Sequence, residues 1–218
     1  MKTKLLASLI LFTFCAKLNA QWIQTNGPYG GQTTAIASNA TDLFATFSYG
    51  KISHSIDNGI TWTDVSNGLS SDPIQCITIN GANIYAGTNG GGIFKSINNG
   101  NTWFGINNGL NSTVINDIAV SGTTLFTASS NGNVGMYKST NNGGSWTIAN
   151  NGMTAQNIQQ IAISGNNIFA AAYNNGGIYF SKDNGNSWTP KKNGLTKKKV
   201  RCITTKSSKI FSWANGGG

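Results

Sequence analysis

The octapeptide SINNGNTW, from Ser96 to Trp103, decides the reading of this chain, because variants of it recur. The others are SIDNGITW (Ser55 to Trp62), STNNGGSW (Ser139 to Trp146) and SKDNGNSW (Ser181 to Trp188). Their tryptophans stand at 62, 103, 146 and 188, so the intervals are 41, 43 and 42 residues. A second marker keeps step: Asn67-Gly68-Leu69, Asn108-Gly109-Leu110, Asn151-Gly152-Met153 and Asn193-Gly194-Leu195. Two markers locked at one interval predict an array of stacked units.

Within each interval the sequence reads as four short strands. In the second they are IQCITI, NIYAGT, GIFKSI and NTWFGI, rich in β-branched and aromatic residues. Asn-Gly and Gly-Gly turns separate them and suit tight hairpins. Helix signals are missing downstream of residue 20. Four antiparallel strands per unit is the make-up of a β-propeller blade, so the expected fold is all-β. Blade one is expected near Thr33–Ser38, Asp42–Phe47, Lys51–Ser55 and Ile60–Val65, with blades three and four near Val114–Trp146 and Ile158–Trp188. A fifth begins at Val200 and shows two strands. The closing IFSWANGGG (Ile210 to Gly218) matches IYAGTNGGG (Ile84 to Gly92), which runs on into a third strand. At the other end, Trp22–Gln24 reads as an orphan fourth strand. About four and a half blades are therefore expected, in an incomplete ring that is a fragment of a longer product.

The octets resemble the Asp-box, or BNR repeat, roughly S-x-D-x-G-x-T-W. That family includes sialidases, xyloglucan-active endoglucanases, sortilin-type receptors and a photosystem assembly factor. The resemblance implies a box in the hairpin between strands three and four of each blade. The matching residues are Ser55, Asp57, Gly59 and Trp62; Ser96, Asn98, Gly100 and Trp103; Ser139, Asn141, Gly143 and Trp146; and Ser181, Asp183, Gly185 and Trp188. An Asp or Asn can satisfy amides of its own turn, and a Trp can bury a large surface between blades. Asn98 and Asn141 cannot ionise, so the box reads as structural and not as a metal site.

Residues 1–20 are a separate object. A basic start, the apolar run LLASLILFTF and the end at Ala20 predict a secretory signal peptide, with the propeller domain over 21–218. The apolar run is too short to span a bilayer comfortably. The chain is thus expected to be exported, in the periplasm, at the cell surface or outside the cell, with no membrane span in the mature part. Cleavage leaves twelve cations against six acids, a net charge of +6. Eight of the cations follow residue 190, which suits an anionic partner or a solvated loop. Nucleic acid is not expected as a partner of an exported chain. Cys76 and Cys202 hold the same place in non-adjacent repeats, so they are expected to be buried, apart and unbridged.

Residue types limit the chemistry. Sialidases use three arginines and a Tyr–Glu pair, whereas this chain has Arg201 alone and no glutamate. Other glycosidases need two carboxylates across a cleft, and only Asp72 and Asp117 sit where blades connect or a first strand begins. His54, the single histidine, has no nucleophile motif beside it. No metal or cofactor is expected. The expected function is a binding or scaffold module for a glycan or a protein. Its face is expected at Asp72, Gln75, Asn116, Asp117, Gln159, Gln160, Lys197, Lys198, Lys199 and Arg201. The alternatives are the N-terminal part of a propeller glycoside hydrolase, or a passive repeat region of a larger surface protein exported by a type IX route.

Overall fold

A computed structural model describes residues 27, 31–131, 134–174, 176–191, 193–195, 199–206 and 209–214. The expected signal peptide and the expected orphan strand at Trp22–Gln24 lie outside the described residues, as do Lys197 and Lys198. Among the described residues every regular element is a β-strand, and no helix is long and apolar enough to cross a membrane.

The strands form five up-and-down antiparallel sheets. Sheet one holds β1 (Thr33–Ser38), β2 (Leu43–Phe47), β3 (Ile52–Ser55) and β4 (Thr63–Asp64). Sheet two holds β5 (Ile74–Asn80), β6 (Asn83–Thr88), β7 (Ile93–Ser96) and β8 (Phe104–Gly105). Sheet three holds β9 (Ile115–Ser121), β10 (Thr124–Ser129), β11 (Met136–Ser139) and β12 (Thr147–Ile148). Sheet four holds β13 (Ile158–Ser164), β14 (Asn167–Ala172), β15 (Gly177–Ser181) and β16 (Thr189–Lys191). Sheet five is the pair β17 (Val200–Lys206) and β18 (Lys209–Ala214). The first strands neighbour one another in the order β1, β5, β9, β13, β17. The four-and-a-half-blade expectation stands among the described residues.

One detail differs from the sequence expectation. The fourth strands are two or three residues long, and each octet tryptophan falls just before its strand and not within it. The cause is the octet turn, whose residues are committed to one another. In all four octets the serine Oγ accepts the glycine N–H at 2.9 Å. The residue before that glycine (Asn58, Asn99, Asn142 or Asn184) has φ between 54° and 58°, in the left-handed region that Asn tolerates best after Gly. Pro190, in the outermost strand β16, costs the sheet no interior hydrogen bond.

The apolar core lies between sheets. Phe44, Ile52 and Val65 of sheet one pack with Ile74, Ile84 and Trp103 of sheet two. The same pattern joins sheets two and three around Tyr85, Ile115 and Trp146, and sheets three and four around Phe126, Ile158 and Trp188. Each of these indoles donates its N–H to the preceding sheet: Trp103 to the Val65 carbonyl at 2.7 Å, Trp146 to Ile106 at 2.7 Å and Trp188 to Ala149 at 2.8 Å. Trp62 corrects the expectation for the first octet. It is half-buried and donates to Gly59 within its own turn at 3.0 Å. No sheet precedes sheet one among the described residues.

The outer flanks are open for the same reason. Ile36 on β1 is 67% exposed, while its counterparts Ile77, Ile118, Ile161 and Ile203 are 2–8% exposed. On the opposite flank Phe211 and Trp213 of β18 are each 51% exposed.

Candidate functional site: a polar channel along the first strands

Each first strand carries the same irregularity. The register skips one residue between Thr33 and Ala35, Ile74 and Cys76, Ile158 and Gln160, and Val200 and Cys202. In β9 it skips Asn116, where Ala128 and Ser129 oppose Asp117 and Ile115. A bulge leaves the extra residue outside the ladder and re-aims its neighbours. The five bulge residues are Thr34, Gln75, Asn116, Gln159 and Arg201.

Those five residues line one cavity of about 360 Å³, together with Ala35, Cys76, Ile77, Asp117, Gln160 and Cys202. The structure therefore brings six residues of the expected binding face together: Gln75, Asn116, Asp117, Gln159, Gln160 and Arg201. Asp72 is a correction. It precedes β5, outside the channel lining, and its carboxylate lies against the Gly90–Gly91 turn of the same sheet. The glycosidase pair Asp72 and Asp117 is not assembled in this cavity. Lys199 is also outside the lining, with its Nζ 5.8 Å from the centre of the Tyr173 ring that Arg201 shares. Thr34 was missed. Its only sequence signal was its alignment with Gln75 and Arg201.

In three of the five first strands the residue after the bulge residue ties its sheet to the next. The Asp117 Oδ2 accepts the Ile161 N–H at 2.8 Å, and the Gln160 Oε1 accepts the Ile203 N–H at 2.8 Å. Cys76 accepts from the Ile118 backbone in the same way. Asn116 adds a bond from its Nδ2 to the Ile158 carbonyl at 2.6 Å. Backbone N–H groups on the open edge of these first strands thus find partners across the blade junction, as buried donors must.

Burial pushes the Asp117 carboxyl up to about 6, against the pull of the Ile161 and Ile118 N–H groups that it accepts. Burial also raises the Cys76 thiol, and the charge of Asp117 adds to that. Both cysteines are free, as expected. Cys76 is buried as expected, whereas the burial expected of Cys202 is a correction. Both line the one channel, and Cys202 is exposed because no sheet follows the fifth among the described residues.

Several polar groups here are unengaged. Gln75 makes no side-chain hydrogen bond among the described residues, and Gln160 uses only its oxygen. The Arg201 guanidinium makes one bond, from Nη2 to the Tyr173 hydroxyl at 3.1 Å, with its Cζ 4.9 Å from that ring's centre. It has no acidic partner among the described residues.

The octets are occupied internally. The Asp57 Oδ1 accepts the Thr61 N–H and the Ser55 hydroxyl at 2.8 Å each. Asn98 and Asn141 accept the matching pairs through Oδ1. The difference lies at the other atom. Thr61 donates its hydroxyl to the Asp57 Oδ2, whereas the Asn98 Nδ2 donates to the Thr102 hydroxyl. Hydrogen bonds led by those from Thr61 and Ser187 hold Asp57 and Asp183 down to about 2. His54 is likewise a packing residue. It bonds Asp42 at 2.6 Å and stacks on Phe44 with ring centres 4.3 Å apart. Among the described residues no three His, Cys, Asp or Glu side chains gather as a metal site would need.

No protein-family model matches the chain, and no curated protein matches its sequence. Solved structures do resemble it. YCF48 from Cyanidioschyzon merolae superposes with a TM-score of 0.66 at 15% identity, over 91% of this chain and 68% of that one. YCF48 bound to a D1 peptide gives 0.61 at 15% identity, over 86% and 65%. An ancestral GH74 enzyme gives 0.67 at 18% identity, over 80% of this chain but 26% of that one. The chain thus spans about two thirds of the YCF48 chains and about a quarter of the GH74 chain. At such identities the likeness speaks to architecture, and with five bladed sheets around one channel the chain is a β-propeller.

Proposed function

We propose that this chain is an exported binding module of the Asp-box propeller kind, that a glycan or protein partner seats in the channel, and that the chain performs no catalysis of its own. The observation that carries this reading is the channel wall, where unengaged groups of Gln75, Gln160 and Arg201 surround a cavity of about 360 Å³. One carboxylate, Asp117, is present there. Glycoside hydrolysis by paired acids requires two. The hydrogen-bonded octets support the Asp-box kinship, and Met1–Ala20 supports export. The YCF48 and GH74 likenesses are compatible with a protein or a glycan ligand respectively.

Glycan and peptide arrays probed with the purified chain test this reading. Binding that falls at least about tenfold in Gln75→Ala supports it, as does the same loss in Arg201→Gln. Absence of binding on both arrays contradicts it and favours a passive repeat region of a larger surface protein.

A second reading has one observation in its favour. A carboxyl raised to about 6 by burial matches the demand on a general acid. Asp117 would then serve a propeller glycoside hydrolase of which this chain is a part. Hydrolysis of xyloglucan by the purified chain, abolished in Asp117→Asn, would establish that reading over the first.

A further inference from the structure

We propose that the channel takes a carboxylate-bearing sugar, a uronic acid unit, with its carboxylate against Arg201 and its hydroxyls against the amides of Gln75 and Gln160. This rests on the channel being the binding site. It names the ligand class.

Arg201 sets the charge of that ligand. A guanidinium offers five N–H donors in a planar fork that matches a carboxylate. Here one donor is used, on the Tyr173 hydroxyl, and the Tyr173 ring backs the fork at 4.9 Å. The tyrosine thus orients the guanidinium without neutralising it. Lys199 stands over the same ring at 5.8 Å and adds a second positive charge beside Arg201. Among the described residues neither cation has an acidic partner.

The amides set the kind of molecule. Gln75 offers a free donor and acceptor pair, and Gln160 a free NH₂. Gln159 gives its NH₂ to Asn157 and keeps its oxygen. Alternating donors and acceptors on short arms suit the hydroxyls of a sugar ring. An acidic peptide finds less here, since Ile77 is the largest apolar side chain in the lining and no aromatic slot opens into it.

Asp117 makes the site sensitive to pH. Its carboxylate shares the cavity with Arg201 and opposes an incoming anion. The titratable groups facing it are Cys76 on β5 and, across the cavity, Arg201 and Cys202 on β17. Burial raises the carboxyl to about 6, so acidification below that value removes the opposing charge. A uronate, with an ordinary carboxyl near about 3.5, stays ionised there.

The test is titration calorimetry of the purified chain with trigalacturonate. Its neutral methyl ester, a neutral glucan trimer and an oligoglutamate of similar charge serve as comparison ligands. The expected result is binding of trigalacturonate, at least about tenfold weaker for the ester and for Arg201→Gln, with partial recovery in Arg201→Lys. Affinity should rise several-fold from pH 7.5 to pH 5, and Asp117→Asn should flatten that rise. Lys209→Gln, on β18 away from the channel, should bind as the parent does. Equal binding of acid and ester overturns the proposal, and so does oligoglutamate bound in preference to the sugar. If a neutral array glycan binds through Gln75 while trigalacturonate does not, the uronate assignment falls and the channel reading stands. If no array ligand binds, both fall.

Discussion

The backbone N–H of Trp103 donates to the Asn67 carbonyl at 2.9 Å, so a turn that ends one blade is closed by the tryptophan of the next. The contact repeats between Asn108 and Trp146 and between Asn151 and Trp188, at 2.9 Å each. The glycine after each Asn lies against the same tryptophan. A Cβ on Gly68 or Gly109 would fall 2.2 Å from the Trp103 or Trp146 carbonyl oxygen. This is why two markers some distance apart in the sequence keep one interval: they are the two halves of each blade junction.

Gly109→Ala should therefore cost about 2–5 kcal/mol, combining left-handed strain with a backbone collision. Gly194→Ala has the same strain but meets nothing within 4 Å among the described residues, so its cost should be about 1–2 kcal/mol. Parallel urea titrations of the two variants measure the difference. Equal costs would mean that the junction contact adds nothing.

Trp146→Ala should cost about 3–5 kcal/mol, since it removes a buried indole and leaves the Ile106 carbonyl without its donor. Trp62→Ala should cost clearly less, because that indole is half-buried and bonded within its own turn. Thermal unfolding of the two variants at one scan rate ranks them.

Acid stability should show the octet carboxylates. Asp57 and Asp183 have folded pKa values of about 2 against an ordinary 3.8. A depressed acid stabilises the fold above its unfolded pKa, and that contribution fades as pH falls from about 4 through 2. The double variant Asp57→Asn with Asp183→Asn should flatten that limb of the stability curve. Fold and spectrum should be unchanged, because Asn98 and Asn141 already fill the same role.

Asp117 should act with the opposite sign. Its folded pKa of about 6 exceeds the ordinary 3.8, so the folded state binds the proton more tightly. Stability should be highest below about pH 4 as far as this group is concerned, fall between 4 and 6, and stay level above. In Asp117→Asn that slope should vanish, at the cost of one acceptor for the Ile118 or Ile161 N–H. Urea midpoints across pH 4 to 7 give the answer.

Most of the fold is legible in the sequence because the repeats are physically equivalent. Trp103, Trp146 and Trp188 occupy the same place in three successive junctions, so their interval carries the architecture. The site is legible in part for the same reason. Gln75, Asn116, Gln159 and Arg201 hold one bulge position, but residue types vary there and no octet-like signature marks it. Asp72 misled because adjacency to a first strand does not fix direction. Two residues before β5, the side chain turns to the Gly90–Gly91 turn instead of the channel. Cys202 and Trp62 misled because their burial in other blades comes from a neighbouring sheet, which a local motif cannot reveal.

The central claim is that the blades are joined along the channel by side chains accepting the Ile118, Ile161 and Ile203 N–H groups. Amide hydrogen exchange read by NMR tests it most directly. Slow exchange at Ile161 and Ile203, with Asp117→Ala speeding Ile161 far more than Ile203, is the predicted result. Exchange at Ile161 and Ile203 as fast as in open turns, indifferent to Asp117, would contradict it.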